Sequence, residues 1–511
     1  MKQNKIFDFS TNSFAFPPAA MTVTLVIYLL LCLVLAYLMP TLPIIGVLGA
    51  VIINLLVLFF IRSRYALPLY VVCAGPSVAL SLASTGILSR LYIGNMLFVF
   101  VALIWLMQII LPERKSGKKL LVPTLLYPIS ALILAGFTSI VYSRLFPDPN
   151  VPYTYPHSNV SITVTNLSEM SLLIGLPMFM IVVPGLVRKV IDAHWVNIGY
   201  LIAGFSYTTL TIAAGPLGIF SHKSILSVQR PLVFGSTSSG LGDLIVLFVN
   251  IAFAKALYAK NGTQRALWLL LTTYYSIGVI LSFGREAWIG LFISSLIMLV
   301  LRTKNPTALL ILLVPLGLLL IPGATNFFDP TQAYGTDRFK IWADSFNIWL
   351  HSPVFGIGAG NFQFFNRVYA VDKVGVAHNQ FLEVLAEMGI QGLIALLWLL
   401  VAVGWQAWKS FQKSVSNLAK SVSLAYIGFY ISIVFGCLFT GIFIPSAAAG
   451  GGTQAFVEAS YRWLLLGLVL SIPNWDKEAV QIEHQGNETN IKSTEPRRDQ
   501  PSFVSSTSWS G

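Results

Sequence analysis

The sequence predicts an all-α fold, a polytopic integral membrane protein of about 12–14 transmembrane helices with one long helical loop on the outer face. Three observations predict it. Of 511 residues, 56% are hydrophobic and only 10% are charged, where soluble domains carry roughly 25%. The apolar residues fall in blocks of about 16–23, the length that crosses a bilayer core as a helix. Lys and Arg recur between alternate blocks, as expected of loops held in the cytoplasm. A soluble enzyme is excluded.

Taken in order, the apolar blocks place spans near 22–39, 44–61, 66–83, 92–111, 120–140, 170–187, 196–214, 240–258, 266–283, 286–301, 307–322, 389–407, 422–444 and 460–473. Basic clusters follow the even-numbered ones: Arg62/Arg64, Arg114 to Lys119, Arg188/Lys189, Lys260/Arg265, Arg302/Lys304 and Lys409 to Lys420. That regularity puts both termini in the cytoplasm. The first block has no small-x-small exit behind it and reads as an uncleaved anchor. The organisation expected is a cytoplasmic segment at 1–21, a helical bundle at 22–322, an outer loop at 323–388, C-terminal spans at 389–473 and a disordered cytoplasmic tail at 474–511, polar and without apolar period. Cys32, Cys73 and Cys437 lie inside apolar blocks and offer neither disulfide nor metal spacing. The net charge of +12 serves topology, not nucleic-acid binding.

The outer loop is too long to be structureless. Between Asp337 and Leu350 the residues Phe339, Trp342, Phe346, Trp349 and Leu350 share one helical face, and Lys340, Asp344 and Asn347 another. Such a helix suits the membrane–water interface, and equally a lid over the span mouths.

Ion-coupled transporters need ionisable groups near mid-span. Here Lys255 sits at a cytoplasmic end and the other charges are read as boundary residues, which disfavours a transporter and directs attention outward. Arg285, in Ser282-Phe283-Gly284-Arg285-Glu286, occupies a tight outer turn between two spans. Arginine there opposes the orientation rule, and a guanidinium grips phosphate bidentately. Arg230 and Arg338 lie on the same side. In the segment from Ala377 to Gly392, a regular helix would put Glu383 and Glu387 on one face and His378 on another, so a His–Glu dyad is not the first choice. At the helix start the dipole would keep His378 neutral, and a neutral imidazole is a competent general base. Gly356-Ile357-Gly358-Ala359-Gly360 has phosphate-loop composition without strand–turn–helix context, so it reads as a turn.

These residues resemble the O-antigen ligase family. His378-Asn379, nine residues, Gly389, two residues and Gly392 match its H[NSQ]-x9-G-x-x-G signature. The stretch Arg338-Phe339-Lys340-Ile341-Trp342, then Pro353-Val354-Phe355-Gly356-Ile357-Gly358 and Gly360-Asn361-Phe362, is similar to its loop motif. The resemblance implies a metal-independent, inverting glycosyltransferase, without cofactor, in the bacterial inner membrane with its active site facing the periplasm. It would move a glycan from an undecaprenyl-diphosphate carrier to a hydroxyl of lipid A-core, another glycan or a protein. His378 would be the general base, Arg285 and Arg338 would bind the diphosphate with Arg230 as a third, and Asn379 and Glu387 would support them. A repeat-unit polymerase is the alternative, and a transporter the weakest reading.

Overall fold

The computed structural model describes residues 63–77, 93–110, 124–155, 160–217, 221–223, 229–231, 233, 238–305, 338–371, 374–446 and 454–494. Among them, thirteen helices carry the fold: α1 (Ser63–Ser77), α2 (Ile93–Ile110), α3 (Leu126–Leu145), α4 (Ile162–Leu186), α5 (Val190–Leu217), α6 (Ser238–Leu257), α7 (Gly262–Leu281), α8 (Arg285–Thr303), α9 (Arg338–Trp349), α10 (Phe362–Tyr369), α11 (Gln380–Lys413), α12 (Asn417–Gly436) and α13 (Gln454–Thr494). Two antiparallel hairpins, β1 (Thr154–Tyr155) with β2 (Val160–Ser161) and β3 (Ser221–Lys223) with β4 (Gln229–Pro231), are the strands described. Eight helices are long and apolar enough to cross a membrane: α3, α4, α5, α6, α8, α11, α12 and α13. The chain is an all-α, multi-pass membrane protein. The spans expected at 22–39, 44–61 and 307–322 lie outside the described residues. Those expected at 66–83, 92–111 and 266–283 meet α1, α2 and α7.

At the centre, α13 packs on α4, α12, α11 and α5, while α6 packs on α7, α8, α12 and α5. Lipid tails are as apolar as leucine, so close backbone approach and internal hydrogen bonds must hold such helices together. Gly467 supplies one approach: a Cβ there would lie 2.5 Å from the Phe179 carbonyl of α4. Tyrosines supply bonds. The Tyr461 hydroxyl donates to Val71 O at 2.8 Å and accepts from Gly75 N at 3.0 Å, and Tyr200 donates to Tyr461 O at 2.7 Å. These bonds tie α1, α5 and α13.

The disordered tail expected at 474–511 is corrected as far as Thr494, and its remainder lies outside the described residues. Helix α13 continues to Thr494, and Trp475 is fully buried. Asp476 accepts from Val415 N, Ser416 N and Ser416 Oγ at 2.8, 2.9 and 2.6 Å. Glu483 accepts from Asn417 N at 3.0 Å and Glu478 from Val190 N at 3.1 Å. Acidic side chains thus meet orphan donors at the starts of α12 and α5, where the helix dipole favours negative charge. Composition alone cannot register partners sixty or more residues away. Asp476→Ala is expected to cost about 1–3 kcal/mol by leaving buried donors unmatched, read as a lower thermal midpoint in detergent.

Helix α9 forms where expected, but with its faces redistributed. Ile341, Asp344, Ser345 and Ile348 are buried against the loop domain and α11, while Phe339, Phe346 and Leu350 stay exposed. Asp344, expected toward solvent, accepts from Val371 N at 3.1 Å. Three of the five stripe residues therefore face away from the protein, as suits an interfacial helix, while Trp342 and Trp349 are half-buried.

Candidate active site

The site is built around a break. Helix α11 is interrupted at Gly389, whose φ of 68° and ψ of −168° belong to a region essentially restricted to glycine. The loop ahead of α10 fills the gap. Ile357 N donates to Ala386 O at 3.0 Å, Gly358 N to Glu387 O at 2.9 Å, and Ile390 N to Pro353 O at 3.0 Å. Gly356, Gly358 and Gly360 all take positive φ, and a Cβ on Gly356 would collide with the Glu387 carbonyl and Gly389 N. The glycine run is thus a turn, as its context suggested, with its amides spent on a helix break and not on a phosphate. Gly389→Ala is expected to destabilise by at least about 1–3 kcal/mol from backbone strain alone, seen in thermal unfolding of the solubilised protein.

Glu387 and Asn379 hold this frame. Glu387 Oε1 accepts from Phe362 N at 3.0 Å, and Ser139 Oγ donates to the Glu387 carbonyl. Asn379 is the N-cap of α11, accepting from Phe381 N and Leu382 N at 3.0 and 3.1 Å. Gln380 then pins the non-helical segment after α12. Its N–H donates to Cys437 O at 2.8 Å, and its side chain bridges Ile444 O and Phe443 N. From α13, Arg462 donates to Ile442 O and Trp463 Nε1 to Phe443 O. The span expected over 422–444 therefore ends early, at Gly436, because these side chains claim the backbone that follows.

On this frame the structure brings together three of the sequence-derived residues. His378 directly precedes the cap and is held at φ 50°. It is half-buried. Burial pushes its imidazole below the usual histidine value, the nearby Arg338 charge pushes the same way, and Glu286 opposes them. Burial first and the neighbouring guanidinium second thus favour the neutral ring. Arg338, at the start of α9, is drawn below the usual arginine value by burial, with Glu286 favouring its charge and Arg285 opposing it. Its guanidinium lies 6.0 Å from the Phe439 ring centroid. Arg285 opens α8 after a turn in which Phe283 takes φ 57° and Gly284 is the N-cap. Of the three non-glycine residues with positive φ among those described, two therefore adjoin this cluster. Such strain collects at functional sites. Arg230 lies on β4, where its backbone pairs with His222 of β3.

Sequence reasoning named Glu383 and Glu387 without their burial, and missed Asp243, Glu169 and Arg462 altogether. Asp243, Glu169, Glu383, Glu387 and Arg462 are each at most 5% exposed. Asp243 is in electrostatic reach of Glu286, Arg462 and Glu458, and Gly242 beside it would place a Cβ 2.6 Å from Ser282 Oγ of the Arg285 turn. Glu169, Asp243 and Arg462 lie near the starts of α4, α6 and α13, and Glu383 and Glu387 precede the break in α11, so these are charges buried near helix ends and not at mid-span. The available signal was an aspartate and an arginine inside otherwise apolar blocks.

The fold and cluster define a class: a multi-pass helical membrane protein whose long loop brings a histidine and an arginine into the electrostatic neighbourhood of a strained turn that carries a second arginine. Residues 265–397 match the family model described as O-antigen ligase. That segment contains Arg285, Arg338, His378, Asn379 and Glu387, and excludes Arg230. Among curated proteins, the teichuronic acid biosynthesis protein TuaE of Bacillus subtilis (strain 168) is 23% identical over 160 residues, spanning 31% of this chain and 30% of that protein.

Proposed function

We propose that the protein is a membrane glycan transferase acting in surface polysaccharide assembly. It takes a saccharide from an undecaprenyl-diphosphate carrier and delivers it to an acceptor hydroxyl on the periplasmic face of the inner membrane. The observation that carries this reading is that His378, Arg338, Arg285 and Glu286 share one electrostatic neighbourhood on a strained frame. The O-antigen ligase domain over the same residues supports it.

In this scheme His378 removes the proton of the acceptor hydroxyl as its oxygen attacks the anomeric carbon. The bond from that carbon to the carrier diphosphate breaks, and its electron pair leaves with the diphosphate. Arg338 and Arg285 offset that growing negative charge, with Arg230 as a third cation. Attack opposite the leaving group inverts the anomeric centre. Asn379 and Glu387 act through the frame: one caps the helix behind His378, the other anchors the loop beside it.

A repeat-unit polymerase would use the same groups, with the acceptor hydroxyl on a second lipid-linked glycan. Glycan analysis of a deletion strain separates the two. Loss of a ligase strands finished polymer on the lipid carrier, whereas loss of a polymerase leaves single repeats on the final acceptor. Unchanged glycans in that strain would refute both.

A further inference from the structure

A cleft of about 810 Å³ opens beside the glycine turn, and none of His378, Arg285 or Arg338 lines it. Its size falls within the roughly 300–1,000 Å³ of small-molecule sites. One wall is the end of α3 and the turn after it, and the other is the stretch from His351 through α10. Gly356, Ile357 and Asn361 line the cleft as well, so it shares its backbone with the plug that holds α11 and His378.

The lining chemistry is specific. Its fixed charges are one guanidinium, Arg144, and one carboxylate, Asp148. They cancel, which does not suit a diphosphate. Both are held in place. Arg144 donates to Thr163 Oγ1 and Asn166 Oδ1 at 3.0 and 2.9 Å, and its guanidinium lies 5.3 Å from the Tyr153 ring centroid. Asp148 accepts from the Tyr369 hydroxyl at 2.6 Å, and the Tyr369 ring lies 4.3 Å from that of His351. Between these polar groups the cleft carries aromatic surface still open to solvent, with Phe146 67% and Tyr153 55% exposed. Ordered rings beside fixed donors and acceptors of both signs are what a sugar needs. Its C–H face covers a ring, and its hydroxyls pair around the edge.

The wall from Tyr142 to Ile162 also lies outside the segment carrying the O-antigen ligase domain. Part of the cleft is therefore built from chain outside the matched segment, where selectivity can differ while the reacting groups stay the same. We infer that this cleft is a saccharide-binding subsite, holding sugar units remote from the reacting bond and selecting which glycan is transferred. The inference rests on the transferase reading for its biological sense, but binding can be measured without transfer.

The test uses the full-length protein in lipid nanodiscs and saturation-transfer NMR. The probes are tetra- to octasaccharides released by partial acid hydrolysis of the host's own surface polysaccharide and, separately, the delipidated acceptor glycan. Saturable binding of either probe is expected, and which one binds identifies donor or acceptor as the source. Phe146→Ala with Tyr153→Ala should weaken it about tenfold. Tyr369→Phe, which keeps the ring and removes the hydroxyl, should weaken it less. His378→Gln should leave it intact. If neither probe binds, if the aromatic variant binds as wild type does, or if the cleft yields only a phospholipid headgroup, the inference is wrong. Intact binding in a protein without transferase activity would keep the subsite and remove the transferase reading.

Discussion

Replacing His378 with Gln is expected to lower glycan transfer by about 10²–10⁴-fold, the range that general bases contribute, with the protein still in the membrane. The pH profile gives the sharper check. A general base works only when neutral, so the rate should fall as pH drops through the folded pKa of His378. Burial and Arg338 hold that pKa below the ordinary 6.5, so the acid limb should lie below that value. Arg338→Gln should move the limb upward, because a repelling charge is gone. Glu286→Gln should move it further down, because an attracting charge is gone. The same shift links to stability. Below pH 6.5 the unfolded chain binds more protons than the folded one, so this contribution is complete above that pH and is lost as pH falls. A histidine that only supported the fold would give the stability effect without the moving rate limb.

Arg285→Ala and Arg338→Ala are expected to show the next largest effect, each lowering kcat by about 10²–10³-fold, as when a preorganised donor to transition-state charge is removed. The loss should fall on kcat more than on KM, because the leaving diphosphate gains charge only as its bond to the sugar breaks. Lysine should restore the charge but not the two-pronged grip, and so recover only part of the rate. The two losses should not add, since both guanidiniums serve one leaving group. Single-turnover kinetics with a lipid-linked donor would read all of this directly. A change confined to KM would point to simple donor binding.

Much of the architecture was legible because hydropathy and basic residues report it locally. The spans near 240–258 and 286–301 match α6 and α8 closely, since each is one uninterrupted apolar block. The cluster was legible in part: Arg285, Arg338 and His378 stood out as polar residues on the outer side, and the structure brings them into one electrostatic neighbourhood. What stayed hidden depends on distant partners. Helix continuation past Asn474 is stabilised by donors at 415–417 and 190, which no local window contains. The glycines at 356–360 mean something only beside the break at Gly389, some thirty residues on. Asp243 and Arg462 disappear into apolar averages, although both are buried, and Gly242, beside Asp243, packs against Ser282 of the Arg285 turn. The buried face of α9 was not legible because Ile341 and Ile348, too few to form a stripe by themselves, pack on the protein.

The central proposal is that His378 and the two arginines act on one lipid diphosphate bond. It is tested most directly by measuring release of undecaprenyl diphosphate from a lipid-linked glycan by purified full-length protein in nanodiscs, with acceptor present. Wild type should release it in step with glycan transfer, and His378→Gln and Arg338→Ala should each abolish both. Release and transfer continuing at the wild-type rate in His378→Gln would contradict the account.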